Sequence, residues 1–162
     1  MSLYHLAQVN IGRLKAHIDD PMIADFKNNL DAINAVADTS PGFVWRLVGE
    51  GNNATDLLAD ESDPLLAINM SVWEDITSLG AFVYRSGHIG FMRRRREWFE
   101  PMDNFMALWW VPVGHRPSVP EAMGRLELLA RMGPTAEAFT FKVPFPAPDS
   151  LAPPLPILDE CA

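Results

Sequence analysis

Residues 66–73, Leu-Ala-Ile-Asn-Met-Ser-Val-Trp, decide the fold of this chain. Read as a β-strand, the segment places alternate side chains on opposite faces of a sheet. One face is aliphatic, with Leu66, Ile68, Met70 and Val72, and the other carries Ala67, Asn69, Ser71 and Trp73. A large indole among polar groups offers the apolar area and hydrogen-bonding groups that line ligand pockets. We therefore interpret the second face as a pocket wall, although a sheet with its polar face in water has the same pattern.

The composition is typical of a single acidic domain. The chain has 162 residues, 48% of them hydrophobic, and a net charge of −8. This size suits one domain with a substantial core, and the charge disfavours nucleic acid or an anionic membrane as the main partner. The single Cys161 allows neither an internal disulfide nor a thiolate zinc site. Because neither a signal-peptide pattern nor a membrane-length apolar run is visible, we expect a cytoplasmic protein.

The order of predicted elements indicates an α+β fold. Strands are predicted at 4–14, 43–48, 66–73 and 105–113, with a short last strand at 138–143. Helices are predicted after Asp20, after Asp75 with a break at 86–88, and after Ser118. This β-α-β-β-α-β order is the ferredoxin-like split βαβ pattern with an antiparallel sheet. Residues 1–146 would form this one domain, and 147–162 a proline-rich tail that covers the partner or the barrel mouth, or is disordered.

A sheet of this kind covers only one face with its own helices. The face that carries Trp73 would then expose apolar groups over a large area, which is unfavourable in water. We therefore expect a homodimer in which two such faces form an α+β barrel around the site. A hydrophobic small molecule is the predicted ligand.

Seven separated motifs resemble the DUF3291 family. They are NIGRL at 10–14, DDP at 19–21, SPGFVWRL at 40–47, SVWE at 71–74, His88 ahead of RRRREWF at 93–99, LWWVP at 108–112 and AFTF at 138–141. The resemblance covers about residues 4–146. It implies the dimeric α+β barrel superfamily, alongside antibiotic-biosynthesis monooxygenase-like proteins. The dimer and the barrel are implied with it, whereas no single reaction is, because its relatives include oxygenases, haem enzymes, cyclases and binders.

His88 is the first candidate for catalysis. It lies between Gly87 and Gly90 at the predicted helix break, where the backbone can bend and expose a side chain. An imidazole there suits a general acid/base or an axial haem ligand. The alternative is a histidine that bonds to neighbouring backbone and fixes the break.

Arg95 belongs to a run of four arginines at 93–96. Helical spacing places Arg95 near Phe91 and Trp98, so it is predicted to point inward with these aromatic rings. An inward Arg95 would bind a carboxylate or an enolate oxygen. The alternative is a solvated basic face that pairs with nearby acidic residues.

Four polar side chains are predicted to converge on one sheet face: Gln8, Asn10, Asn69 and Ser71. Neutral amides orient a carbonyl or phenol and stabilise an enolate without titrating. The alternatives are a dimer interface wetted by water and a hydrogen-bond network between strands.

Tryptophans supply the predicted apolar contacts with substrate. Trp73 is the best candidate because it shares a face with Asn69. Trp45, Trp98 and Trp109 are further substrate-binding candidates, with core packing as the alternative. Trp45 and Arg46 must point to opposite faces, as must Trp109 and Trp110, and either member of each pair is open to face the barrel.

Three functions are compatible with these residues, since no phosphate loop, dinucleotide fingerprint, nucleophile elbow or metal motif is present. The first is an enzyme that acts on a hydrophobic aromatic or polyketide-like molecule, by cofactor-independent oxygenation or by acid/base cyclisation or isomerisation. His88 would move the proton, and Asn69, Asn10 and Gln8 would hold the developing oxyanion. The second is a haem protein with His88 as ligand, and the third a non-catalytic ligand-binding dimer.

Overall fold

The computed structural model describes residues 2–85 and 88–150, without the side chains of residues 85, 88, 89 and 91. Four strands form one antiparallel sheet in the order β2-β3-β1-β4. They are β1 (Tyr4–Arg13), β2 (Phe43–Arg46), β3 (Leu66–Trp73) and β4 (Met106–Pro112). The helices are α1 (Ala24–Asp38), α2 (Ile76–Arg85), α3 (His88–Arg93), α4 (Arg95–Trp98) and α5 (Val119–Met132). The predicted α+β class, with its split βαβ order, is confirmed.

Capping side chains begin the helical segments where the sequence predicts them. Asp20 accepts a hydrogen bond from the Met22 backbone N–H at 2.9 Å, which starts a 3₁₀ turn ahead of α1. Ser118 accepts from the Glu121 N–H at 3.2 Å and begins α5. The Glu121 carboxylate contacts His115 Nε2 at 2.9 Å instead of returning to the cap. The predicted capping box is therefore only half formed.

The last predicted strand, 138–143, is reduced to one bridge. Phe139 exchanges two backbone hydrogen bonds with Leu108 of β4, each 2.9 Å long. The residue before it, Ala138, uses its own N–H and C=O in a tight turn with Thr135. Because these groups are engaged in the turn, pairing with β4 does not extend through Ala138.

Helices of the same chain cover both faces of the sheet. On the aliphatic side, α5 packs against β4 and β1, and its Ala122, Leu126 and Leu129 belong to the same hydrophobic cluster as the aliphatic residues of β3. The opposite face, which carries Trp73, packs against residues of α1 and α2. We expected a second copy of the chain to cover the Trp73 face. This prediction is wrong, because the chain's own helices cover that face. The reason is that α1 and α2, the helices of the split βαβ unit itself, pack on the Trp73 face, whereas the additional helix α5 packs on the aliphatic side.

Candidate functional site

A cavity lies between the Trp73 face of the sheet and the helices that cover it. It has two compartments, which share Asn10, Ile33, Asn34, Asn69 and Met92. The Trp73 compartment, about 80 Å³, is also lined by Gln8, Ser71 and Trp73. The Trp98 compartment, about 230 Å³, extends to Trp98, Phe99 and the segment between β2 and β3. A cavity of about 150 Å³ accommodates benzene, so the larger compartment has room for a substituted aromatic ring.

Strand register brings the predicted polar residues together. Asn10 lies directly opposite Asn69, and Gln8 lies opposite Ser71. Gln8 Nε2 donates to Asn69 Oδ1 at 2.8 Å and to Ser71 Oγ at 2.9 Å. Trp73 Nε1 also donates to Ser71 Oγ, at 2.8 Å. The network fixes the amides of Gln8 and Asn69: Gln8 and Ser71 are buried, Asn10 is half-buried, and Asn69 is exposed.

Arg95 enters the Trp98 compartment from the start of α4. Its Nη2 donates to the Ile11 carbonyl at 2.9 Å, and its Nη1 lies 3.4 Å from Asn10 Oδ1. Its guanidinium lies 4.8 Å and 4.7 Å from the ring centroids of Phe99 and Phe105, which attract a cation. Burial lowers the pKa of Arg95. In the described part of the chain, no carboxylate forms an ion pair with it.

The neighbouring Arg94 has the opposite environment. It binds Asp25 at 2.9 Å and Glu97 at 2.7 Å on the outside of the molecule. The two interpretations of the arginine run therefore each describe one residue. Arg94 belongs to a solvated, paired face, whereas Arg95 lies on the cavity.

Gly12 makes this approach to β1 sterically possible. A Cβ atom at Gly12 would lie 2.4 Å from Phe99 Cδ1 and 3.1 Å from Arg95 Nη2. Real Cβ contacts do not reach the shorter distance, so a larger residue would displace the Phe99 ring. The NIGRL motif thus contributes two features. Asn10 supplies an amide, and Gly12 leaves room for the Phe99 ring that lies against the Arg95 guanidinium.

The predicted site residues divide into two groups. The cavity is lined by Gln8, Asn10, Asn69, Ser71, Trp73, Arg95 and Trp98. Trp45 and Trp109 were also expected to bind substrate, but register places Trp45 opposite Val72 and Trp109 opposite Ala7, on the aliphatic face. Both belong to the hydrophobic cluster on that face, where Trp109 is buried and Trp45 is partly buried. Arg46 and Trp110 consequently share the cavity side of the sheet.

His88 is placed only by its backbone, which begins α3. Its side chain lies outside the described residues, so its catalytic role stays a prediction. No group of three or more His, Cys, Asp or Glu side chains in the described residues has the geometry of a metal site. Nor does the described part contain a helix long and apolar enough to span a bilayer.

Arg46 and Asn34 line the cavity without having been predicted to do so. The Arg46 side chain is 9% exposed and binds Asp38 at 2.7 Å and the Asn52 carbonyl at 2.6 Å. Asn34 is 6% exposed and lines both compartments. The signal for Asn34 was present in the sequence: it lies four residues after Leu30, on the apolar stripe of α1.

Comparison with known proteins identifies a family. No curated protein matches the chain. The solved structure of PA3566 from Pseudomonas aeruginosa is 14% identical, with a TM-score of 0.48 over 73% of this chain and 98% of that one. A proposed antibiotic biosynthesis monooxygenase from Chloroflexus aurantiacus J-10-fl is 18% identical, with a TM-score of 0.45 over 70% of this chain and 97% of that one. A family model described as a domain of unknown function matches residues 5–153, and on this match the chain belongs to the DUF3291 family.

Proposed function

We propose that this chain is an enzyme that binds a hydrophobic aromatic or polyketide-like molecule in the cavity between the sheet and its helices. The observation that carries the proposal is Arg95, a half-buried guanidinium with no carboxylate partner among the described residues. It lies beside the amides of Asn10 and Asn69 at the edge of a largely apolar cavity. Such a cation is stabilised when a ligand supplies an anionic oxygen.

The proposed chemistry begins with removal of an acidic proton from the substrate. His88 receives this proton, and the resulting enolate or phenolate oxygen lies near Arg95 and the amides of the cavity floor. Donors held in place before the reaction stabilise the charge as it develops. In the oxygenation the substrate carbanion adds to O₂, the peroxide takes the proton back from His88, and loss of water leaves a new carbonyl. In the cyclisation the carbanion instead adds to a carbonyl carbon of the same molecule, and the resulting alkoxide takes the proton back from His88.

Native mass spectrometry of the purified protein tests the binding part of the proposal. We expect a co-purified small molecule on the wild type and its loss from Arg95→Met, because the anionic oxygen then has no cation. Arg94→Met is the matched control, since Arg94 is paired on the surface, and it should keep the ligand. Equal retention by both variants would remove Arg95 from the proposed site.

Oxidation of anthrone, an aromatic ketone with an acidic C–H group, tests the catalytic part. Anthrone and O₂ give anthraquinone and water, and the quinone is measured by absorbance. We expect the wild type to accelerate this reaction, and His88→Gln to lower the rate at least about tenfold with the fold intact. Unchanged turnover in this variant would mean that another group moves the proton.

The same measurements separate the alternatives. A bound ligand without turnover would indicate a binding protein, and a Soret spectrum unlike that of free haem would indicate a haem protein with His88 as ligand. We also keep the homodimer as a proposal, because the edge strand β2 exposes Val44 to 40% and Val48 follows it at 44%. Native mass spectrometry gives the subunit count directly.

A further inference from the structure

Asn34 has a largely buried side chain at the junction of the two compartments. It lies on α1, is 6% exposed, and no side-chain hydrogen bond of this residue is found within the part of the chain that the structure describes. Its amide atoms keep contact with solvent in the cavity, so a bound molecule that displaces this solvent must complete their hydrogen bonds. Because Asn34 lines both compartments, the group that completes them must lie where the compartments join.

The floor of this junction offers mainly hydrogen-bond donors. The Asn10 oxygen faces Arg95, which can only donate, so the Nδ2 group of Asn10 is left for a ligand. The Asn69 oxygen accepts from Gln8, which leaves the Nδ2 group of Asn69 in the same position. An amide provides both an acceptor and a donor, so Asn34 is the residue on the helix side that supplies an acceptor.

We propose that Asn34 determines specificity by accepting a hydrogen bond from a hydroxyl group of the substrate, a phenol or the enol form of a ketone. The same hydroxyl oxygen accepts from the Nδ2 groups of Asn10 and Asn69. A hydroxyl both donates and accepts, so it satisfies the helix side and the floor together. An ether or a ketone that cannot enolise lacks the hydrogen and leaves the Oδ1 atom of Asn34 without a donor. This inference rests on the proposed function, since it names the substrate group that the cavity selects.

Equilibrium dialysis with two small probes tests the inference. 2-Naphthol carries the hydroxyl, whereas 2-methoxynaphthalene has the same ring system and an oxygen that only accepts. We expect the wild type to bind 2-naphthol about tenfold more tightly than the ether, the effect of one buried hydrogen bond. Asn34→Leu should weaken 2-naphthol binding about tenfold and leave binding of the ether unchanged or stronger. Asn28→Leu, at an exposed position of the same helix, should bind both probes like the wild type.

Thermal unfolding provides a second measurement that needs no ligand. If Asn34 awaits a ligand, Asn34→Leu should unfold at the same or a higher temperature, because Leu replaces an unpartnered amide. A clearly lower unfolding temperature would show that the amide supports the fold, and would overturn the inference.

The outcomes distinguish this inference from the proposed function. Equal binding of the two probes, or equal loss of both in Asn34→Leu, overturns the role of Asn34 and leaves the cavity as a binding site. If neither probe binds the wild type, selection of a hydroxyl is refuted. If native mass spectrometry also shows no bound molecule, the proposed function fails with it.

Discussion

The hydroxyl oxygen of Ser71 accepts hydrogen bonds from two buried donors, so Ser71→Ala is the sharpest test of the cavity floor. Ser71 Oγ accepts from Gln8 Nε2 at 2.9 Å and from Trp73 Nε1 at 2.8 Å. Trp73 is fully buried, and Gln8 is 8% exposed. Alanine removes the acceptor and creates little empty space. Gln8 keeps its bond to Asn69, whereas no other acceptor is recorded for the Trp73 indole among the described residues.

The expected cost follows from the number of donors that lose their acceptor. A buried polar group without a partner costs about 1–3 kcal/mol. With one indole N–H fully unpaired and one amide N–H partly so, Ser71→Ala should lower the free energy of unfolding by about 2–4 kcal/mol. Most of this cost comes from the Trp73 indole N–H, which loses its acceptor. Trp73→Phe removes that N–H group and should therefore remove part of the cost. We expect the two substitutions to couple by about 1–2 kcal/mol, as side chains in one network do.

Urea unfolding followed by circular dichroism measures these free energies. The midpoint of Ser71→Ala should fall by roughly 1–2 M with an unchanged slope, since urea slopes lie near 1–3 kcal/mol/M. Ser62→Ala is the matched control: Ser62 is exposed and its hydroxyl donates to Asp60 at 2.7 Å. A loss below about 0.5 kcal/mol for Ser71→Ala, or strictly additive costs with Trp73→Phe, would refute the reasoning.

Two further predictions concern charged groups. Arg95→Met should change the free energy of unfolding by less than about 1 kcal/mol, because relief from burying a cation offsets the lost hydrogen bonds. If urea denaturation instead shows that the free energy of unfolding falls by more than about 3 kcal/mol, Arg95 is a structural residue. The pKa of Asp149 lies below its usual 3.8 because its carboxylate accepts from the Leu3 N–H at 2.7 Å and the Ser2 hydroxyl at 2.8 Å. A lowered acid pKa gives stabilisation that is present above the unfolded-state pKa and is lost as the pH falls through the folded-state pKa. A carbon NMR titration should therefore place the midpoint of the Asp149 carboxyl below 3.8. A midpoint at or above 3.8 would contradict this prediction.

Alternation along 66–73 predicted how the polar residues would be grouped. A strand has a fixed period of two, so Asn69, Ser71 and Trp73 had to share a face once the segment formed β3. The partner strand then brought Gln8 and Asn10 to the same face through its register. This part of the candidate site follows from the two-residue period of a strand, which can be read directly from the sequence.

The side of the sheet that each helix covers could not be predicted in this way. The apolar stripe of α5 fits either face, and only the packed chain places it on the aliphatic one. The orientation of Trp45 was open for a different reason, because a bulge between Phe43 and Trp45 shifts the register of β2. Asn34 was missed although its place on the apolar stripe of α1 can be read from the sequence, because that place does not show which side chains or cavity the amide meets.

The position of α5 has a consequence for how this protein works as an assembly. Because α5 lies on the aliphatic side of the sheet and α1 and α2 lie on the Trp73 face, each face already carries a helix of the same chain. A second copy of the chain would therefore meet the edge strand β2 or the outer side of a helix, and not a bare face of the sheet.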